Sequence, residues 1–233
     1  MKAKKALLIL LVCALMLLTV PLQAQAANDN PRVIPPMAKT HGKTLGEWSA
    51  AWWQWVFSLP VDQNPMFDEG EAINGANGQE GPVWFLAGSF TGTPVVRYLT
   101  VPAGTTLFVH IIGVECSTVE APPFFGANET DLRTAVNAEL FEFADVFATV
   151  DGVAIKNLEK YLVESPMFAF TVPENNVLGV PEGTEGQSMA RDYNFMLAPL
   201  PVGDHVIHVG GMFPNVGFFE EVTYNITVVP RKK

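Results

Sequence analysis

Residues 44–57 of this chain are Thr-Leu-Gly-Glu-Trp-Ser-Ala-Ala-Trp-Trp-Gln-Trp-Val-Phe, a stretch that holds four of its five tryptophans. Thr44 and Glu47 are spaced as a capping box, in which each side chain bonds the backbone N–H of the other. A helix is therefore predicted over residues 45–58. It should end before Pro60, because proline disfavours a helical residue ahead of it.

The tryptophans of this helix form one apolar stripe with one ring outside it. At 100° per residue, Trp48, Trp52 and Trp55 lie within about 60° of each other, whereas Trp53 falls off that stripe. Because each ring can bury roughly 150–250 Å², we expect the stripe to pack as a plug against a β-core. The alternative is an aromatic platform that faces a ligand. Its expected ligand-binding residues are Trp53, Trp48, Gln54 and Asn64.

The first 26 residues have the pattern of a secretory signal peptide. Residues 1–5 carry three lysines, residues 6–20 are an unbroken apolar run, and Ala24 and Ala26 give the small-x-small cleavage pattern. An apolar run of 15 residues is too short to span a bilayer as a helix. We therefore expect cleavage after Ala26, no membrane insertion afterwards, and a secreted or periplasmic protein.

The charge and the cysteine content argue against some partners and bonds. Loss of residues 1–26, which carry three lysines and no acids, would leave 207 residues and change the net charge from −10 to −13. A chain this acidic repels nucleic acid and anionic lipid, so neither is expected as a partner. Cys116 would be the one cysteine left, so no internal disulfide is expected.

After the helix, short apolar strands alternate with turns. Asp151-Gly152 is a strong two-residue hairpin signal, because both positions of a type I′ turn need positive φ. We expect about nine or ten strands, among them 106–112 and 190–197, and one inserted helix over 129–144. The predicted fold is mainly β: an antiparallel β-sandwich or jelly roll with an N-terminal Trp-rich helix.

The sequence divides into three expected parts. Residues 1–26 are the cleaved signal peptide, and residues 27–43, which are polar and rich in proline, are an extended leader. Residues 44–233 form a single β-sandwich domain that includes the Trp-rich helix 45–58. The interior shows no internal repeat and no change of composition that would mark a linker between domains.

Four residues are weak candidates for a metal site: His110, Glu115, His205 and His208. Residues three apart on a strand point to opposite faces, so one ion cannot easily bind both His205 and His208. No further ligand has a diagnostic spacing, so no cofactor is expected. The acids of loop 61–81 leave calcium as a further alternative, although their spacing does not match an EF-hand.

Several segments together resemble an uncharacterised family of exported bacterial proteins. They are Gly-Glu-Trp-Ser-Ala-Ala-Trp-Trp-Gln-Trp at 46–55 with Asn64-Pro65 downstream, Gly-Pro-Val-Trp-Phe-Leu-Ala-Gly at 81–88, Val-Pro-Ala-Gly at 101–104, and Pro-Leu-Pro-Val-Gly-Asp-His-Val-Ile-His at 199–208. The resemblance spans most of the chain after residue 26. It implies export and a Trp-rich helix followed by a β-sandwich, but no particular activity. Relatives carry cysteines where this chain has none between residues 27 and 115, which implies a lost disulfide.

The first functional hypothesis is a non-enzymatic binding module. The Trp-rich helix and loops 61–81, 113–127 and 173–189 would form its recognition side, for a carbohydrate or another extracellular partner. Aromatic rings beside amides and acids suit such a flat, partly apolar ligand. The second hypothesis is a secreted hydrolase or metalloenzyme that uses the four candidate metal residues. The third is a structural subunit of an extracellular assembly, joined through edge strands or the leader.

Overall fold

The computed structural model describes residues 32–231. Helix α1 spans Leu45–Ser58, and the predicted capping box is confirmed. The Thr44 hydroxyl accepts from the Glu47 N–H at 3.2 Å, and the Glu47 carboxylate accepts from the Thr44 N–H at 2.7 Å. The helix is enclosed on nearly every side rather than along one stripe. Its exposed residues are Glu47, Gln54 and Ser58.

Eleven strands follow α1 within the described residues. They are β1 (Gly70–Glu71), β2 (Val83–Leu86), β3 (Val95–Pro102), β4 (Thr106–Ser117), β5 (Ala144–Val150), β6 (Val153–Ala154), β7 (Leu162–Glu164), β8 (Phe168–Thr171), β9 (Glu185–Leu197), β10 (Gly203–Phe213) and β11 (Phe218–Val229). One sheet has the order β1-β3-β11-β10-β5-β6. The other has the order β2-β4-β9-β7, with β8 also paired to β9.

The prediction of a mainly β fold is confirmed, but the prediction of antiparallel pairing is wrong for three strand pairs. Strands β1 and β11 both lie parallel to β3, and β2 lies parallel to β4. Both sheets are therefore mixed. Turn signals report hairpins between consecutive strands, so they carry no information about a parallel partner far along the chain.

The hairpin prediction at Asp151-Gly152 is confirmed. These two residues join β5 to β6 and have φ values of 50° and 76°. Positive φ at both positions is the requirement of a type I′ turn, and asparagine, aspartate and glycine meet it at the lowest steric cost. Val150 and Val153 pair directly on either side of the turn.

The inserted helix is shorter than predicted. Helix α2 spans Glu129–Val136 instead of 129–144, and Asn128 caps its start by accepting from the Asp131 N–H. Two apolar residues past its end, Leu140 and Phe143, fit a helical face by spacing but are not helical. Leu140 lies in a 3-10 turn at Glu139–Phe141 and Phe143 lies between that turn and β5, and both pack half-buried against the core.

Strands β4 and β9 extend further than their apolar patterns predicted. β4 continues past residue 112 to Ser117, and β9 begins at Glu185 instead of residue 190. The two strands pair antiparallel from Leu107 with Leu197 to Ser117 with Ser188, with a β-bulge at Ile111. Several polar residues therefore lie within the longest strand pair of the smaller sheet.

The two sheets and α1 contribute to one hydrophobic core. It contains Trp52 from α1, Phe108 and Ile112 from β4, Ile207 from β10 and Val222 from β11, all fully buried. Side chains from both sheets therefore meet in the same apolar interior. The helix lies against β7, β8 and β9 of the smaller sheet.

The described part of the leader lies along β9. The Ile34 N–H donates to the Met196 carbonyl at 2.8 Å, and the Ala198 N–H donates to the Arg32 carbonyl at 2.9 Å. The predicted signal peptide and its cleavage site lie outside the described residues. Within residues 32–231, no helix has the length and apolar character needed to cross a membrane.

Candidate functional site

All four indole N–H groups of α1 donate hydrogen bonds inside the protein. Trp48 donates to the Thr40 carbonyl at 2.8 Å, Trp52 to Leu86 at 3.0 Å and Trp55 to Asn77 at 2.8 Å. Trp53 donates instead to the carboxylate of Asp192, 3.2 Å from each oxygen. A buried indole needs such a partner, so these four bonds fix how the helix docks.

Asp192 belongs to what we call the buried polar cluster, which consists of Ser49, His110, Asp192, Asn194 and Glu220. Ser49 donates to Asp192, and the Asn194 amide donates to Asp192 at 3.3 Å. His110 Nδ1 lies 2.9 Å from Asn194 Oδ1, and His110 Nε2 lies 3.8 Å from Glu220 Oε2. The cluster connects α1 to β4, β9 and β11 through polar contacts.

The hydrogen-bond pattern assigns the tautomer of His110. The Asn194 amide donates to Asp192, so its oxygen faces His110 and must accept a proton from Nδ1. Nε2 is then an acceptor on the side of Glu220. The imidazole also stacks on the Trp52 ring, with centroids 4.2 Å apart and planes 11° apart.

Burial governs the ionisation of the cluster. It lowers the pKa of His110 to about 3, so this imidazole is neutral at pH 7. It raises the pKa of Asp192 to about 7 and that of Glu220 to about 8. Hydrogen bonds from Ser49 and Trp53 to Asp192, and from the Ser89 N–H to Glu220, oppose these increases.

Two glycines and a bulge make room for these acids. A Cβ on Gly113 would collide with the Asp192 carboxylate, and one on Gly88 would collide with Glu220. The bulge at Ile111 shifts the alternation of β4, because Gly113 pairs with Asp192 where an unbroken register would offer Ile112. His110 and Gly113 therefore lie on the same face of β4, towards the buried polar cluster.

A cavity of about 500 Å³ opens beside this cluster, and we call it the phenylalanine cavity. Eight aromatic rings line it, together with aliphatic residues from the loop 173–184 and from the β10–β11 turn. The aromatic lining residues are Trp53, Phe57, Phe67, Phe90, Phe124, Phe141, Phe213 and Phe218. Its size is within the range of about 300–1,000 Å³ that is usual for small-molecule sites.

The mouth of the phenylalanine cavity is apolar and open to solvent. Phe67, Phe90 and Phe124 are 41%, 39% and 38% exposed, and Val216 is 44% exposed. Phe67 and Phe90 pack on each other with centroids 5.6 Å apart. Exposed rings gathered around one concavity differ from apolar residues scattered singly on a surface, and such a patch marks an interaction site.

Two carboxyl groups, those of Glu115 and Glu120, supply the ionisable groups of the cavity wall. The Ser188 hydroxyl donates to Glu115, and the Ser117 hydroxyl donates to Glu120 at 2.8 Å. Burial raises the pKa of Glu115 well above its ordinary value, and the nearby charge of Glu120 raises it further. Burial also raises the pKa of Glu120, while its hydrogen bond with Glu115 lowers it. The two groups therefore titrate as an interacting pair.

A second large concavity, of about 710 Å³, lies on the outer face of the larger sheet. Its walls include Tyr98, Asn225 and Thr227, which project from β3 and β11. This groove is lined also by residues of the segment 71–76, and its acids Glu71 and Asp204 are exposed. The phenylalanine cavity is the better candidate, because it combines an apolar lining with titratable groups whose pKa values are raised.

The four predicted ligand-binding residues lie in different surroundings. Trp53 is 5% exposed and lines the phenylalanine cavity, whereas Trp48 is buried against Thr40. The Gln54 amide is exposed and donates to the Ala169 carbonyl at 2.8 Å. Asn64 is buried, donates to the Val56 carbonyl and accepts from the Met66 N–H. Of the four, Trp53 is the one that lines this cavity.

The four weak metal candidates do not come together. His205 lies 2.8 Å from Asp151, and His208 lies 2.9 Å from Glu221, so each has its own carboxylate. His110 is in the buried polar cluster, and Glu115 is in the cavity wall. Among the described residues, no group of three or more His, Cys, Asp or Glu is placed to hold a metal ion.

The acids of loop 61–81 are the residues that the alternative of a calcium site depends on. The Asp68 carboxylate accepts from the backbone N–H of Asn74 at 2.9 Å and from its side-chain amide at 2.8 Å. These hydrogen bonds stabilise the turn that precedes β2.

Cys116 is a buried free thiol, and burial raises its pKa above the ordinary value, as expected for an unreactive cysteine.

The sequence analysis missed the acids of the polar cluster and the rings of the cavity. One signal could have found the first group: Asp192 and Asn194 alternate within an apolar strand, and polar groups at such positions must find buried partners. The cavity rings carry no comparable signal, because they come from separate segments of the chain.

Comparisons with protein-family models, with curated proteins and with solved structures found no match.

Proposed function

We propose that this is an exported binding protein that holds a small, largely apolar ligand in the phenylalanine cavity. The observation that carries the proposal is that exposed phenylalanine side chains surround the mouth of a cavity of about 500 Å³. Export is supported by the signal-peptide pattern of residues 1–26. The sandwich architecture is part of the same proposal, supported by two sheets whose side chains share one core.

The lining favours an apolar ligand over the carbohydrate of the first hypothesis. A sugar carries hydroxyl groups around its whole ring, and each one buried without a hydrogen bond costs free energy. In the cavity, Glu115 and Glu120 are the side chains that could bond such hydroxyls, and the remaining walls are rings and aliphatic groups. The hydrolase, the metalloenzyme and the structural subunit stay predictions of the sequence.

The proposal is tested with Nile red, a neutral dye whose fluorescence rises in apolar surroundings. The purified protein should bind the dye with saturable affinity. Leu178→Trp should weaken binding, because Leu178 lines the cavity and the larger indole would occupy part of it. Val202→Trp is the matched control, because it adds the same ring at an exposed position that does not line the cavity.

Circular dichroism and thermal melting establish that both variants are folded before binding is compared. If Leu178→Trp does not fold, Phe67→Ser replaces it, since that ring is exposed at the mouth of the cavity. Saturable dye binding that is weakened in the cavity variant and kept in the control supports the proposal. Equal binding by both variants, or no binding by the original chain, contradicts it.

A further inference from the structure

The charges around the phenylalanine cavity are of one sign. Glu115 and Glu120 line it, and none of the lining residues that the structure describes is a lysine, an arginine or a histidine. Glu115 is 6% exposed, so its carboxyl is nearly out of contact with water. When either carboxyl of this pair is ionised, it gives the cavity a negative potential that water screens poorly.

The protein itself does not neutralise this pair. The hydrogen bonds to the two carboxyls come from the hydroxyls of Ser188 and Ser117, from the Ser117 backbone and from one carboxyl to the other. No ion pair among the described residues involves Glu115 or Glu120. Arg191 is on the neighbouring strand β9, but its guanidinium lies over the Phe143 ring, 5.1 Å from the centroid. Structural acids at such burial usually have a basic partner.

We propose that the ligand of the phenylalanine cavity is an amphiphilic cation, an apolar body with one ammonium group that binds between Glu115 and Glu120. This inference rests on the proposed function, because it names the chemical class of the ligand for the same site. One ammonium supplies up to three N–H donors, enough to bond both carboxyls at once.

The remaining walls fit the other part of such a molecule. The faces of Trp53 and the phenylalanine rings can bury an aromatic or aliphatic body by the hydrophobic effect. Aromatic faces also attract a cation held within about 6 Å of their centroids, which adds to the attraction of the carboxyls. A neutral ligand would gain only the hydrophobic contribution. An anionic ligand would be repelled by an ionised carboxylate of the pair.

Three probes with the same body distinguish these cases: 4-phenylbutylamine, 4-phenylbutan-1-ol and 4-phenylbutyrate. The amine is protonated at neutral pH, as a lysine side chain is. Each probe is titrated at pH 7.5 against the full-length protein carrying Nile red, and dye displacement gives its affinity. We expect the amine to bind at least about tenfold more tightly than the alcohol, which is the lower end of a charge-assisted hydrogen bond. The butyrate should bind most weakly.

A double variant assigns this preference to the acid pair, because either single variant would leave one carboxyl able to ionise. Glu115→Gln combined with Glu120→Gln should reduce the ratio of amine to alcohol affinity towards one, with the alcohol affinity nearly unchanged. Glu182→Gln is the matched control, because it removes an exposed acid that does not line the cavity. Calorimetry in buffers of different ionisation enthalpy adds a second readout. Amine binding should release a proton from the pair, and alcohol binding should not.

The outcomes separate this inference from the function on which it rests. Equal affinities of the amine and the alcohol, or a preference for the butyrate, overturn the cation inference and leave the apolar binding function standing. A preference for the amine that persists in the double glutamine variant also overturns it. Failure of all three probes to displace the dye from a protein that binds it overturns the cation inference, and failure of the dye itself to bind contradicts the proposed function.

Discussion

The tryptophan helix and the phenylalanine cavity are both built from aromatic rings and share Trp53, but they differ in how those rings meet water. Every indole of the helix is buried and donates a hydrogen bond to the surrounding protein. At the mouth of the cavity, Phe67, Phe90 and Phe124 are more than a third exposed. A phenyl ring has no polar atom that a particular partner must satisfy.

This difference follows from the side chains themselves. An indole has an N–H that must be bonded when it is buried, so each tryptophan can fix both a position and an orientation. A phenylalanine contributes apolar area without such a constraint, so it can face solvent until another apolar surface covers it. The helix therefore serves the stability of the fold, and the cavity is available for binding.

Removal of a helix ring should have the largest effect. Trp52 is fully buried, stacks on His110 and donates to the Leu86 carbonyl, so Trp52→Ala should lower the free energy of unfolding by about 3–5 kcal/mol. Urea denaturation followed by circular dichroism measures this loss. A loss below about 1 kcal/mol would mean that the helix does not stabilise the fold as its burial implies.

The buried polar cluster, which α1 contacts through Ser49 and Trp53, should make the stability of the protein depend on pH. The pKa of Glu220 is raised to about 8 in the folded protein, from an ordinary value of 4.5. The folded state therefore binds this proton more tightly than the unfolded state, and stability must fall as the pH rises through that interval. His110, whose pKa is lowered to about 3, acts in the opposite direction below pH 6.5. The window from pH 6.5 to 8 thus isolates the acids.

Between pH 6.5 and 8 we expect a loss of about 2 kcal/mol, since one proton contributes about 1.4 kcal/mol for each pH unit. Glu220→Gln should remove most of this loss, and Asp192, whose pKa is raised to about 7, should retain a smaller part. Glu221→Gln is the matched control, because the neighbouring acid pairs with His208 instead of entering the cluster. Urea denaturation at the two pH values tests the prediction, and a stability that stays constant or rises across this window would contradict it.

The features predicted from the sequence are those whose signals are local. The capping box of Thr44 and Glu47 and the turn at Asp151-Gly152 depend on residues a few positions apart, and both are confirmed. The parallel pairing of β3 with β11 is not local, because its strands lie far apart in the chain. The bulge at Ile111 could not be predicted from alternation, because a bulge is the point at which alternation fails.

The candidate site likewise contains one residue with a local sequence signal and others whose positions depend on distant parts of the chain. Trp53 was recognised as distinct because its position on the helix differs from that of the other rings, and it lines the cavity. Its partner Asp192 depends on a strand 139 residues further along the chain. The acid pair of Glu115 and Glu120 depends on β4 continuing past its apolar stretch. Such sites are assembled by tertiary structure, so composition and spacing describe their parts but not their arrangement.

The cap of the helix should contribute less than its rings. Thr44→Ala removes the hydroxyl that accepts from the Glu47 N–H and should cost about 1 kcal/mol. Thr44→Ser keeps that acceptor and should restore most of the loss, which makes it the matched control. Urea denaturation of the three proteins tests the order. A loss from Thr44→Ala as large as that from Trp52→Ala would mean that the cap, and not ring packing, holds the helix.

The sharpest contrast with Trp52 is expected at the mouth of the cavity, where the main effect should be on binding. Phe90 is 39% exposed, lines the cavity and packs on Phe67, so Phe90→Ser should lower the free energy of unfolding by about 1–2 kcal/mol, less than Trp52→Ala. Its affinity for Nile red should nevertheless fall several-fold, because bound dye would lose an apolar face. Val153→Ser is the matched control, since it removes an exposed apolar side chain from β6, away from the cavity, and should leave the affinity unchanged. A large loss of stability with unchanged affinity would reverse the comparison and make the exposed ring a structural element like the tryptophans.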